Sequence, residues 1–344
     1  MKYTIQDIAR ETNLSRNTVS KALKGSDGVS PETRKLVQEK AREMQYRKFI
    51  IENTSVENSK SHGSVLFLTR ASVNYSDFWI NVMRGIESVL GENGYDLVLG
   101  IMNEDDLSKL HFPTSLVEKS VCGVIIVEIC DIKACNAIIN FGLPVVFVDM
   151  PNQFDRFIGR ADIITMENQI NIEYIVEQLI QKGHKRFAFA GDISSMNAGR
   201  GYRERYEALC RTLNRHDLIL DEEHSFLHEA EENFAEYPYL INRFKGMSSL
   251  PDVYICGNDW TALHVMRAVQ SLNYEVPKDI CFVGFDNIHD SSKSFPTLTT
   301  IDTPKEYLGI QAARCILNRI ADPHIPYVYS EYTTKLILRG STDL

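Results

Sequence analysis

The 344-residue sequence lacks several features that would assign it to common classes of protein. Its longest apolar stretches, at 121–127 and 144–148, are far shorter than the roughly 20 residues that a membrane-spanning helix requires. The chain enters a helical pattern within its first residues, without the apolar segment of a secretion signal. These absences predict a cytoplasmic protein.

Paired cysteines are also absent. The seven cysteines, at positions 122, 130, 135, 210, 256, 281 and 315, form no Cys-x-x-Cys pair. Most of them lie inside apolar stretches, which is typical of small buried side chains in a reducing compartment. We therefore expect no disulfide, no metal site and no cofactor.

The motifs of several enzyme classes are missing as well. The sequence has no Gly-x-Gly-x-x-Gly after its first predicted strand, no Gly-x-x-x-x-Gly-Lys-Ser/Thr and no Gly-x-Ser-x-Gly. The nine histidines are scattered, and a single histidine such as His184, beside Lys185 and Arg186, is more often structural than catalytic. We expect that the protein is not an enzyme.

The charge of the chain is divided unevenly along its length. Residues 1–50 carry 11 lysines and arginines against 6 acidic residues, whereas the net charge of the whole chain is -9. A basic head on an acidic body orients the head toward phosphate. The alternative interpretation is a chance asymmetry between solvated surfaces.

The basic head contains two short helical patterns, at 4–11 and 15–23, joined by a tight turn. Their apolar positions would face each other, while Arg16, Asn17 and Lys21 project outward from the second helix. Side chains of these types read base edges in the major groove of DNA. The pattern predicts a DNA-binding helix-turn-helix, and the alternative is a helical hairpin with a solvated basic face.

The fold class expected for the whole chain is α/β, with a small all-α head at 1–46, a linker at 47–62 and a body at 63–344. In the body, short apolar runs alternate with amphipathic segments, which predicts parallel sheets covered by helices on both faces. We expect two lobes, one at about 63–160 and 290–322 and the other at about 161–289 and 323–344. A ligand would lie in the cleft between them, at the carboxyl ends of the strands.

A series of motifs resembles one family over nearly the whole chain, the LacI/GalR family of bacterial transcriptional repressors. The motifs are TIQDIA at 4–9, TVSKAL at 18–23, VSPETR at 29–34, RGIE at 84–87, GHKRFAF at 183–189, RERY at 203–206, ND at 258–259, VPKDI at 276–280, VGFD at 283–286, LTTI at 298–301 and LRGST at 338–342. Each is weak alone, but their joint order and spacing are highly specific.

The resemblance implies a two-lobe body like that of the type I periplasmic binding proteins, and a homodimer or tetramer that binds a palindromic operator under the control of a small effector. It places base contacts on Arg16, Asn17 and Lys21. Hydroxyl side chains nearby would contact phosphate and fix the register. These are Thr4, Ser15, Thr18 and Ser20.

The resemblance also implies an effector site between the lobes. Its arginine falls on Arg205, although the motif around it is altered, and its aspartate falls on Asp259. A fixed guanidinium facing a fixed carboxylate suits a polyhydroxylated ligand, so we expect a sugar. The alternative for this pair is a structural ion pair. The other expected effector contacts are Phe78, Trp79 and Asp149. Alternatively, the two aromatic residues only pack the first helix of the body against the sheet. Asp286 is expected to be structural.

The linker departs from the family pattern. Family members carry a helix there whose leucine enters the minor groove at the centre of the operator. This chain has RKFIIENTSV at 47–56, and Glu52 and Glu57 would repel phosphate. The wedge is therefore not expected here, and more of the operator specificity falls on Arg16, Asn17 and Lys21.

Other functions remain as alternatives. A sugar-binding receptor used for uptake has the same two-lobe body, but the head and the missing secretion signal argue against it. Within the regulator hypothesis, the effector is alternatively a nucleobase or a sugar phosphate.

Overall fold

The computed structural model describes residues 3–46, 49, 62–70, 77–193, 199–229 and 231–344. The chain forms two compact units, Met1–His62 and Gly63–Leu344. Except for Phe49, the linker positions 47–61 lie outside the described residues, so the expectation about a minor-groove wedge falls outside them too.

The first unit contains three helices, α1 Ile5–Thr12, α2 Arg16–Leu23 and α3 Pro31–Glu43. A hydroxyl residue precedes each helix. Ser15 and Ser30 cap α2 and α3 by accepting backbone hydrogen bonds, whereas Thr4 before α1 donates to the Asp7 carboxylate, and Pro31 occupies the first position of α3. The helices bury a small core, which is lined by Ile8, Ala9, Val19, Ala22, Val37, Ala41 and Phe49.

The second unit alternates strands and helices. Its strands among the described residues are β1 Gly63–Arg70, β2 Tyr95–Met102, β3 Gly123–Val127, β4 Val145–Val148, β5 Asp162–Met166, β6 Phe187–Ala190, β7 Val253–Cys256, β8 Cys281–Val283, β9 Thr300–Asp302, β10 Tyr329–Tyr332 and β11 Lys335–Ile337. Its helices are α4 Asp77–Glu92, α5 Glu104–Lys109, α6 Thr114–Val117, α7 Ile132–Asn140, α8 Ile170–Gln181, α9 Arg200–Arg215, α10 Glu231–Ala235, α11 Tyr237–Lys245, α12 Asp259–Ser271 and α13 Lys305–Ala321.

The strands form two parallel sheets, one in each lobe. The sheet of the first lobe has the order β10-β5-β4-β3-β1-β2, and that of the second lobe has the order β6-β7-β8. A small antiparallel pair, β11 with β9, lies where the chain passes between the lobes. One apolar cluster contains residues of both lobes, including Phe67, Val127, Phe187 and Val283, so the lobes share a continuous core.

The expected division into lobes is wrong at two places. β5 and β10, which we expected in the second lobe, pair with each other and belong to the first sheet. A buried ion pair joins this part of the sheet to α13, where Arg319 donates two hydrogen bonds to Asp162 at the start of β5. Arg319 also holds the carbonyls of Pro323, Ile325 and Pro326, which fixes the segment that leads into β10.

The sequence pattern also predicts single helices near 105–119 and 232–245 and a strand at 224–228, and the structure differs from all three predictions. The segment 105–119 contains two short helices, α5 and α6, separated by residues that include Pro113. The segment 232–245 is likewise divided, into α10 and α11, and a predicted strand at 224–228 is reduced to a single bridge between Phe226 and Ala190. In the part of the chain that the structure describes, no helix is long and apolar enough to cross a membrane.

Two glycines allow α4 and α13 to cross at very close range. A Cβ atom at Gly85 would meet the carbonyl oxygen of Glu306, and one at Gly309 would meet the carbonyl oxygen of Val82. Because neither backbone can give way to a side chain, both positions need glycine. This crossing fixes α13 on the first lobe after the chain has returned from the second.

Candidate functional site

The second helix of the head presents a polar face on a tightly held backbone. Ser15 caps α2 by accepting a hydrogen bond from the Thr18 amide at 3.1 Å, and the two hydroxyls lie 2.8 Å apart. Val19 and Ala22 are buried in the core of the head. The opposite face therefore points outward.

The three residues predicted to contact bases lie on this outward face. Arg16, Asn17 and Lys21 are all exposed. Arg16 and Asn17 form the first turn of α2, and Lys21 follows one turn later. Their spacing along one helix matches that of side chains which reach neighbouring base pairs in a major groove.

The predicted phosphate contacts differ in their surroundings. Thr4 is exposed, but its hydroxyl donates to the Asp7 carboxylate at 2.7 Å within the cap of α1. Ser15 is exposed, whereas Thr18 and Ser20 are half-buried. The hydroxyls of Ser15 and Thr18 already contact each other, so both serve the helix cap in the unbound head.

The body places several polar residues just beyond strand ends. Asp149 follows β4, Asn168 follows β5, Gly257 follows β7 and Asp286 follows β8. Since all four strands are parallel members of the two sheets, these residues meet where the lobes join. This edge of the sheets is where ligands bind in open α/β folds.

Arg205 on α9 is the centre of this group and is only 3% exposed. Its Nε and Nη2 donate to the Asn168 amide oxygen at 3.1 and 2.8 Å, and its Nη1 donates to the Gly257 carbonyl at 2.5 Å. Its guanidinium also lies over the Phe285 ring, 3.5 Å from the ring centre. These contacts use three of the five N–H donors of the guanidinium and fix its plane.

Two carboxyl groups lie near Arg205. Burial raises the pKa of Asp286 to about 7, although the positive charge of Arg205 acts to lower it. Burial also raises the pKa of Asp149, against the Met150 amide hydrogen bond and the charge of Arg205, which both lower it. Raised values for carboxyl groups beside a guanidinium are typical of a functional cleft.

Asp259 has its carboxylate held by neighbouring groups of the protein, and its contact with the effector stays a prediction. It is fully buried, and its carboxylate accepts hydrogen bonds from the Ile288 amide at 3.0 Å and from the Ser291 and Thr300 hydroxyls at 2.5 Å each. It forms no ion pair with Arg205, so the structural ion pair that we considered is not formed. The carboxylate supports the loop behind the cleft.

The aromatic pair at the start of α4 is divided between two environments. Phe78 is buried in the shared apolar core, which agrees with the packing interpretation. Trp79 is half-buried and meets Phe78 edge to face at 4.6 Å between ring centres. Trp79 is therefore the member of the pair that retains exposed surface.

Asn168 and Asp286 are the residues of this cleft that sequence reasoning missed or set aside. Asn168 follows β5 in a position like those of Asp149 and Asp286, so its place after a strand was the available clue. Asp286 was expected to be structural. Its left-handed backbone, with φ at 107°, and its raised pKa distinguish it in the structure.

Comparison with known proteins identifies both units. The profile of the family described as bacterial regulatory proteins, lacI family, matches residues 4–48, and that of the periplasmic binding protein-like domain matches residues 176–342. The transcriptional repressor PurR of Mannheimia succiniciproducens is 26% identical over 348 residues, which cover 98% of each chain. The probable transcriptional repressor ExuR of Bacillus subtilis is 27% identical over 345 residues, again 98% of each chain.

Solved structures share the fold over the full length. The transcriptional regulator CelR in complex with cellobiose aligns with a TM-score of 0.68 at 21% identity, covering 99% of this chain and 100% of that one. The lac repressor dimer bound to operator and the anti-inducer ONPF also gives 0.68 at 21% identity, covering 99% of each chain. With a LacI-type head, a periplasmic-binding-protein-like body and full-length relatives that are named repressors, the chain belongs to the LacI family and is a DNA-binding transcriptional regulator with an effector domain.

Proposed function

We propose that the regulator is a repressor whose effector is a neutral carbohydrate, bound where Asp149, Arg205 and Asp286 meet between the lobes. The observation that carries this proposal is the guanidinium of Arg205, held in place by Asn168 and flanked by two carboxyl groups. Such a group offers fixed donors and fixed acceptors within one small space, which suits neighbouring hydroxyls.

The charge of the cleft favours a neutral ligand over a phosphorylated one. Arg205 faces Asp149 and Asp286, and three of its N–H donors already serve Asn168 and Gly257. The nearby cations Arg200 and Lys305 are also engaged, Arg200 with Glu204 and Lys305 with the Asp286 carbonyl. A phosphate group would need more positive charge than this group supplies, because like charges in a buried site repel strongly.

The aromatic side chains near the cleft suit one face of a sugar ring. The guanidinium of Arg205 already covers the Phe285 ring at 3.5 Å, so we assign the contact with the sugar to Trp79. Trp79 is half-buried and is proposed to pack against one face of the sugar. Two solved regulators of this fold were determined with cellobiose and with ribose, respectively.

A thermal-shift experiment on the full-length protein tests the effector class. We expect at least one of ribose, glucose and cellobiose to raise the melting temperature, because a ligand that binds the folded state stabilises it by mass action. Asp286→Asn should abolish the shift, while Asp290→Asn, an exposed residue in the next turn, should keep it. A shift with glucose 6-phosphate or adenine but with no neutral sugar would contradict the proposal.

The head is proposed to bind an operator through Arg16, Asn17 and Lys21, with Thr4, Ser15, Thr18 and Ser20 on the phosphates. The exposure of the first three on one helix face supports this assignment. A regulator of this kind acts on chromosomal DNA, so we propose a cytoplasmic protein without catalytic activity.

We further propose that the chain is a homodimer formed through the first lobe. β2 is an edge strand of the first sheet, and its Leu99 and Ile101 are 52% and 55% exposed on the same face. Apolar side chains on an open edge strand favour a partner surface. The double variant Leu99→Glu with Ile101→Glu should be a monomer in light scattering. Ile219→Glu, at another exposed apolar residue, should remain a dimer. A double variant that remains a dimer would refute this interface.

A further inference from the structure

Three metal-ligating side chains converge at the end of the second sheet that lies away from the cleft. His184 precedes β6, Cys281 is the first residue of β8, and Asp343 lies in the carboxyl-terminal tail. The amino ends of parallel strands share one edge of a sheet, whereas Gly257 and Asp286 of the effector cleft follow carboxyl ends. This group and the effector cleft therefore lie at opposite ends of the strands of the second sheet.

The donor atoms of this group form a compact triangle. The His184 Nε2 lies 3.1 Å from the Asp343 Oδ1, and the Cys281 Sγ lies 3.9 Å from each of these atoms. In a tetrahedral zinc site with ordinary bond lengths, the ligand atoms are about 3.3–3.6 Å apart. The observed distances match these values to within a few tenths of an ångström, so small side-chain movements would place all three around one ion.

We propose that His184, Cys281 and Asp343 bind a zinc ion, with water as the fourth ligand. A thiolate and an imidazole select zinc over magnesium and calcium, which prefer oxygen ligands alone. Binding forms the S–Zn, N–Zn and O–Zn bonds and releases the thiol proton of Cys281 to solvent. Solvent can reach the site, because the side chains of His184 and Asp343 are 19% and 45% exposed.

The surroundings already hold the ligands near these positions. Lys182 donates to the backbone carbonyl of Asp343 at 2.9 Å. The tail is also bound to β8, since the Phe282 amide donates to the Ser341 carbonyl at 2.9 Å and the Ser341 hydroxyl returns a bond to the Phe282 carbonyl. Zinc would thus join the tail to β8 and to the segment that precedes β6, and stabilise the second lobe.

This proposal differs from our sequence-based expectation that there is no metal site. Cys281 is 97 positions from His184 and 62 positions from Asp343 in the chain, so no spacing motif brings the three residues together. His184 was interpreted as structural and Cys281 as a small buried side chain. Only the folded sheet shows that they share one edge with the tail.

Zinc titration of the full-length protein tests the proposal. Protein freed of metal with a chelator should bind one equivalent of Zn²⁺, measured by competition with a chromophoric chelator. Cobalt(II) in place of zinc should show thiolate-to-metal charge-transfer absorption and the visible bands of a tetrahedral site. Saturating zinc should raise the melting temperature by about 3 °C or more.

Matched variants locate the ion. Cys281→Ser and His184→Gln should each weaken zinc binding by about 100-fold or more, and Cys281→Ser should remove the charge-transfer band. Cys210→Ser, at a half-buried cysteine elsewhere, should leave both unchanged. If a core variant fails to fold, Asp343→Asn in the tail still tests the proposal. It should weaken zinc binding while it leaves the melting temperature of the metal-free protein within about 2 °C of the wild-type value. Equal zinc affinity in wild type and in these variants, or a cobalt spectrum without the thiolate band, would overturn the proposal.

Discussion

The guanidinium of Arg205 donates two hydrogen bonds to a single atom, the amide oxygen of Asn168, at 3.1 Å from Nε and 2.8 Å from Nη2. Asn168 follows the last strand of the first sheet before the chain crosses, and Arg205 lies on α9 of the second lobe. The Asn168 amide nitrogen donates in turn to the Met166 carbonyl and to Glu204, each at 3.0 Å. The residue proposed to hold the effector is thus fixed by the segment that joins the lobes.

Removing the partner of Arg205 should destabilise the protein. Asn168→Ala leaves two guanidinium donors buried without an acceptor, which we expect to lower the free energy of unfolding by about 1–3 kcal/mol in urea titrations. Asn136→Ala is the matched control, because Asn136 accepts from the exposed Arg160 at 2.7 Å. It should change the stability by less than about 0.5 kcal/mol; equal losses in both variants would refute a special role for the buried pair.

The crossing of α4 and α13 should not tolerate a methyl group. Gly309→Ala places a Cβ against the Val82 carbonyl, and we expect a loss of about 2 kcal/mol or more in urea unfolding. Gly91→Ala lies on the exposed face of α4, where a Cβ meets only the end of the Glu87 side chain at 4.0 Å. Because alanine favours a helix more than glycine does, this control should be neutral or gain up to about 1 kcal/mol. A neutral Gly309→Ala would show that the crossing is looser than described.

The stability of the protein should depend on pH through Asp286. Its pKa is raised to about 7, mainly by burial, while in the unfolded chain an aspartate titrates near about 4. Between about pH 4 and pH 7 the folded state therefore holds more protons than the unfolded chain, so this group's contribution to stability falls as the pH rises.

Urea titrations at several pH values measure this contribution. Asp286→Asn should be more stable than wild type by about 1 kcal/mol or more at pH 8, with the difference shrinking toward pH 5. Asp290→Asn, at an exposed neighbour, should follow the wild-type curve. A stability difference between wild type and Asp286→Asn that does not change with pH would contradict the raised pKa.

The outward face of α2 should determine operator choice. Alanine at Arg16, Asn17 or Lys21 should each weaken binding to a selected palindromic operator by about 5- to 150-fold, equivalent to about 1–3 kcal/mol. Fluorescence anisotropy against the operator and a shuffled sequence gives the specificity ratio. Lys24→Ala, at the exposed residue just after α2, should leave that ratio unchanged. If all four variants kept the wild-type specificity ratio, the outward face of α2 would not determine operator choice.

The sequence could predict features that depend on neighbouring residues, but not those that depend on contacts between residues far apart in the chain. The two helices predicted at 4–11 and 15–23 follow from local residue patterns, and both predictions are confirmed. The prediction that β5 and β10 belong to the second lobe was wrong. The contact that ties β5 to the first lobe joins Arg319 to Asp162, which are 157 positions apart in the chain. Local patterns carry no information on such a pair.

The effector cleft shows the same limit at the scale of single side chains. The position of Arg205 was predicted, but its partner Asn168 comes from a different crossing of the chain. The Asp259 carboxylate likewise accepts hydrogen bonds from Ser291 and Thr300, which are 32 and 41 positions away in the chain. A sequence shows which residues follow strands, whereas their orientation depends on partners from distant segments.

The most direct test of the account measures operator affinity with and without the carbohydrate that gives the thermal shift. For wild-type protein, the Kd from fluorescence anisotropy should change by about 5- to 150-fold at saturating effector, as expected for a coupling of about 1–3 kcal/mol. Asp286→Asn should bind the operator as wild type does and show no response. An operator Kd of the wild-type protein that stays the same with and without effector would contradict the account.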